Sequence, residues 1–134
     1  MERFGLEVHA YSLMPTHYHL LVRSPLGNLS DGMRHLGGAY TKVFNCRHGQ
    51  DGSLFRGRFK SQLVKYEAYL LYLLAYIHLN PLKAGLITRL DGLQGWTSHR
   101  NYMGKDPDRS WLSTGFFADQ FESPGEMNRG RCQA

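Results

Sequence analysis

"MPTHYHLLV", residues 14–22, decides how this chain is read. Pro15 and Thr16 interrupt two stretches rich in β-formers, "LEVHAYSLM" (6–14) and "HYHLLVRS" (17–24), which predict an antiparallel strand pair closed tightly around Met14 to Thr16. On a strand, residues i and i+2 share a face, so His17 and His19 point the same way and Tyr18 points the other. Two imidazoles so placed can bind one divalent ion. With seven histidines in the chain, one such triplet arises roughly 0.4 times by chance. Spacing alone therefore leaves open a second reading, two histidines satisfied by backbone or solvent. His9, His35, His48, His78 and His99 stand singly and read as structural. A metal hydrolase with a histidine pair on a barrel strand would need about 250 residues, and this chain has 134.

Beyond the strand pair, "SPLGN" (24–28) reads as a loop and Ser30 as an N-cap. A helix is predicted over 31–49, with Met33, Leu36, Tyr40, Val43 and Phe44 at helical spacing. Gly37 and Gly38 weaken it and would permit close approach of another backbone. After the turn "GQDGS" (49–53), "LFRGRFKSQLV" (54–64) predicts a strand with Arg56, Arg58 and Lys60 on one face. Those cations suit phosphate contacts, with a solvated face as the alternative, and Arg23 near the end of the histidine strand could add to them.

"YEAYLLYLLAYIHLN" (66–80) is the strongest helix, closed by Pro81, with Gly85 stopping a short continuation. Tyr69, Tyr72 and Tyr76 form one stripe, and for Tyr69 and Tyr72 a place in the core is expected. Tyr76 differs because Asn80 stands one turn ahead on the same side. A carboxamide oxygen suits a hard divalent cation, and a phenol beside it could attack a phosphorus atom. Asn80 also has a plain reading as a helix-end residue before proline. "WTSHRNYMG" (96–104) reads as a last turn or short helix, and the chain beyond Pro124 as a loose tail.

A chain of this length, 42% hydrophobic and 20% charged, predicts one soluble domain, residues 1–122, with a tail at 123–134. There is no membrane-spanning apolar run, and Cys46 and Cys132 make no framework, so the expected setting is a reducing cytoplasm. The net charge of +5 favours a polyanionic partner.

Taken in order, "MPTHYHLLV", "LFRGRFKS" and "YIHLNPLKAGL" resemble the single-tyrosine HUH transposases, and within them the REP-associated tyrosine transposases. The resemblance runs from Leu6 to Tyr102; each motif alone is weak, and the ordered set is specific. It implies an α+β, ferredoxin-like fold with an antiparallel sheet and helices on one face. It implies that His17, His19 and a third ligand, matched by Asn80, hold Mg²⁺ or Mn²⁺. Tyr76 would be the nucleophile on single-stranded or hairpin DNA, forming a 5′-phosphotyrosine and a free 3′-OH. Family members carry a strand and a helix ahead of the segment matching "ERFGLEVHAY", so the expectation is a truncated or decayed copy, or a misassigned start. An N-terminally truncated sheet would leave an edge unpaired, which favours a homodimer over a tidy monomer and predicts little cleavage. Two other classes stay open: a copy that binds DNA without cutting it, and a metal-stabilised structural domain.

Overall fold

The computed structural model describes residues 2–90, 96–107 and 109–118. A short 3-10 turn (Glu2–Phe4) leads into β1 (Glu7–Leu13) and β2 (Tyr18–Arg23), followed by α1 (Leu29–His48), α2 (Glu67–Lys83), α3 (His99–Tyr102) and α4 (Gly115–Ala118). The protein is therefore α+β, with a two-stranded antiparallel sheet among the described residues. The expected tail lies outside them.

The chain divides into two compact units, one of residues 1–6 and 24–63, the other of residues 7–23 and the chain from 64 on. In the second unit, β1 and β2 pair from Glu7↔Arg23 to Leu13↔Tyr18. The ladder reaches one step further, where Met14 N–H donates to the His17 carbonyl at 2.9 Å. Pro15 and Thr16 thus form a two-residue turn with ordinary negative φ angles. A bulge at His9 shifts the register between Val8 and Ala10. Residues 8 to 12 of β1 are all buried. The free edge of β1 is covered by irregular chain: Leu13 N–H donates to Trp96 O (2.8 Å), Ser98 N–H to Tyr11 O (3.1 Å) and Ser113 N–H to Val8 O (2.8 Å).

α2 packs on this sheet through one side. Leu74 and Ile77 join Ala10, Leu21 and Phe117 in the core, with Leu70, Leu71, Leu73 and Tyr102 against it. Pro81 does not close the helix but lies inside it. A proline near the end removes one hydrogen bond only, and Pro81 is fully buried, so packing offsets that loss. The helix ends at Lys83, and Gly85, two residues on, takes φ +69°.

In the other unit, α1 begins at Leu29 with Asn28 as its N-cap, so Ser30 falls inside the first turn. Gly49, left-handed at φ +61°, closes it. Of its expected apolar stripe only Met33 is buried, while Leu36, Tyr40 and Val43 are exposed. The helical glycine that packs tightly is Gly32, where a Cβ would overlap Leu6; Gly37 merely faces the Phe55 ring and Gly38 nothing.

The strand expected over 54–64 is absent: these residues form bends and irregular chain. Burial does not alternate either: Leu54, Phe55, Phe59 and Val64 are half-buried, while Arg56, Gly57, Arg58 and residues 60–63 are exposed. Alternation in the sequence selects a face, but a strand also needs a partner for its N–H and C=O groups. This segment is held instead by side chains, Phe55 lying 6.3 Å from the Tyr40 ring of α1.

Candidate functional site

The register sets which side chains face α2. Ala10 pairs with Leu21 and Ser12 with His19. Leu21 belongs to the core shared with Leu74 and Ile77, so His19 and His17, two and four residues before it, stand on the α2 side. Their rings are 5.0 Å apart and perpendicular. A metal–imidazole bond of about 2.1 Å puts an ion roughly 3.3 Å from each ring centre, so rings at this separation can share one ion. His17 Nδ1 is 3.2 Å from Thr16 Oγ1; in the tautomer in which Nδ1 donates to that oxygen, the lone pair lies on Nε2. Burial, then the neighbouring His17, pushes the His19 pKa down. That shift favours the neutral imidazole, the form that ligates metals.

α2 brings the phenol. The Tyr76 ring meets His19 edge-on, centroids 6.0 Å apart. On its face lies Lys83, with Nζ 5.3 Å from the ring centroid. Lys83 escapes a motif reading, although seven residues on from Tyr76 is a helical stripe position. Asn80, between them, sits inside α2 rather than at its end. Its Nδ2 is buried with no hydrogen-bond partner. A buried orphan amide calls for a partner, and turning the carboxamide over places its oxygen there. Among the described residues no group of three or more His, Cys, Asp or Glu side chains comes together.

The basic residues of 54–64 do not lie on a strand. Arg56, Arg58 and Lys60 are exposed on irregular chain of the other unit. Arg23 is exposed but engaged, its guanidinium donating to Glu7 Oε2 at 3.2 Å.

Two histidines read as solitary in fact meet. His78 and His99 have ring centres 5.4 Å apart, and Tyr102 stands 5.3 Å from His78. His78 Nε2 lies 2.7 Å from Ser98 Oγ, which also accepts the Tyr11 N–H. Burial pushes the His78 pKa down to about 3, assisted by His99. Tyr102 donates to the His9 carbonyl at 2.7 Å, and burial raises its pKa. His78 follows the core residue Ile77 on α2, and helical spacing does not announce its contacts with Ser98, His99 and Tyr102.

Comparison with protein-family models, with curated proteins and with solved structures returns no match. Among the described residues no helix is long and apolar enough to cross a membrane.

Proposed function

We propose that the protein is a single-stranded DNA nuclease-ligase of the HUH transposase type, with a ferredoxin-like ancestry for its sheet, His17, His19 and Asn80 as metal ligands and Tyr76 as nucleophile. The observation that carries this reading is the convergence of His17, His19 and Tyr76 across the β2–α2 contact. Mg²⁺ or Mn²⁺ held there would supply positive charge to the phosphate oxygens. The chain's own residues supply the rest. The Tyr76 oxygen attacks phosphorus and loses its proton, the bond from phosphorus to the 3′ oxygen breaks, and that oxygen leaves as a hydroxyl after taking up a proton. The 5′ strand end stays on tyrosine as a diester, so the step can run backwards without an energy source. His19 braces the edge of the phenol and Lys83 its face, which limits the ring's freedom before attack.

The test is incubation of the protein with a labelled single-stranded hairpin and Mn²⁺, followed by denaturing electrophoresis. A covalent adduct carrying the 5′-phosphate side is expected in low yield, and Tyr76→Phe should remove it. An adduct that survives Tyr76→Phe would overturn the assignment. DNA binding with no adduct would leave the non-cleaving binding module as the function.

A further inference from the structure

Tyr69 and Tyr72 are not core residues. They are 47% and 61% exposed, and Tyr76 is 37% exposed. At 100° per residue, Tyr69, Tyr72, Tyr76 and Lys83 fall within about 60° of one another on α2. The buried residues Leu74, Ile77, His78 and Pro81 occupy the other side. Glu67, the one carboxylate of the helix, also points away from the strip. An outer helix face is ordinarily filled with polar, flexible side chains; this one carries three phenols and ends in an ammonium.

The geometry suits flat partners. The Tyr69 and Tyr72 rings lie 5.3 Å apart and 31° from parallel. Lys83 covers the Tyr76 face. From Tyr69 to Tyr76 the helix rises about 10 Å, a span of two to three nucleotides at roughly 3.4 Å each. Aromatic faces accept any base, and a lysine ammonium accepts the phosphate between bases. The net charge of +5 has the matching sign.

We infer that the Tyr69–Tyr72–Tyr76–Lys83 strip of α2 is a stacking track for the bases of single-stranded DNA, leading the strand to the histidines. The inference rests on the DNA reading above, and it adds how the strand is gripped without sequence readout. Tyr69 and Tyr72 hold bases, and Lys83 holds the phosphate nearest Tyr76.

The test is the affinity of the full chain for a fluorescent 15-nucleotide oligothymidine and for a duplex of equal length, at several salt concentrations. Tyr69→Ala and Tyr72→Ala should each weaken oligothymidine binding by about tenfold, with little change in the salt slope because no charge is lost. Tyr69→Phe and Tyr72→Phe should keep the affinity, since the ring remains. Lys83→Gln should lower the slope by about 0.7. These tyrosines are exposed, so the variants should melt with the wild type, and the Phe variants check this independently. No oligothymidine binding by the wild type would remove the DNA reading itself, and the track with it. Wild-type binding that is unchanged in both Ala variants would overturn the track alone. So would equal losses on duplex and single strand, because paired bases cannot stack on side chains. A change of oligomeric state in Tyr72→Ala at unchanged affinity would assign the strip to a second copy of the chain instead.

Discussion

The His19 imidazole and the Tyr76 ring stand at 76° to one another, with centroids 6.0 Å apart. One residue stands on β2 and the other on α2, so the contact depends on how the helix lies across the strand pair. Replacing His17 and His19 together with Ala should abolish Mn²⁺ binding, measured by electron paramagnetic resonance, and leave most DNA affinity in place. Phosphate contacts dominate such affinity, and neither imidazole is needed for them. Retention of the Mn²⁺ signal in the double variant would place the ion elsewhere.

His78 gives a pH dependence of stability. Its folded pKa is about 3 against an ordinary 6.5, chiefly from burial. Between those values the unfolded chain binds the extra proton, so stability rises with pH across that window. The contribution is complete above about pH 6.5 and is lost progressively as pH falls toward 3. Urea midpoints should therefore drop from pH 7 to pH 4 by an amount equivalent to a few kcal/mol. A His78→Gln variant should show a flatter profile, and an equally steep one would assign the effect to other groups.

A buried ion pair holds the chain after α3. Arg100 Nε donates to Asp106 Oδ1 at 2.8 Å, and the Asp106 side chain is only 4% exposed. Asp106→Ala removes the carboxylate and leaves a half-buried guanidinium, which should cost about 3 kcal/mol. Asp106→Asn keeps an oxygen for the bond and should cost less. Chemical denaturation of the two variants separates the charge from the hydrogen bond.

Two glycines of α1 should respond with opposite signs. At Gly32 a Cβ would overlap buried Leu6, whereas at Gly38 nothing lies within 4 Å. Gly38→Ala should stabilise by up to about 1 kcal/mol through helix propensity. Gly32→Ala gains the same propensity but must displace Leu6, an overpacking cost of about 1–3 kcal/mol. Thermal melts showing both variants stabilised would mean that Leu6 shifts freely.

The exposed cations Arg56, Arg58 and Lys60 are tested through salt. Their joint replacement with Ala should lower the slope of log affinity against log salt by about 0.7 for each true phosphate contact on a single strand. An unchanged slope would make them a solvated surface.

Local physics made the strand pair and α2 legible in the sequence. A proline turn between alternating stretches specifies register, and register alone places His17 and His19 on one face. Helical spacing likewise puts Tyr76, Asn80 and Lys83 in one line, although only the first two carry a recognisable pattern. Tertiary structure decided the rest. Residues 54–64 alternate in sequence but have no ladder partner, and alternation cannot supply one. Tyr69 and Tyr72 have core-like chemistry, yet their exposure depends on which side of α2 meets the sheet. The His78–His99 contact and the edge of β1 covered by residues 96–98 and 112–113 join parts far apart in the chain. Periodicity reports the face a residue occupies, whereas the neighbour across that face is set by packing between elements, which no local pattern encodes.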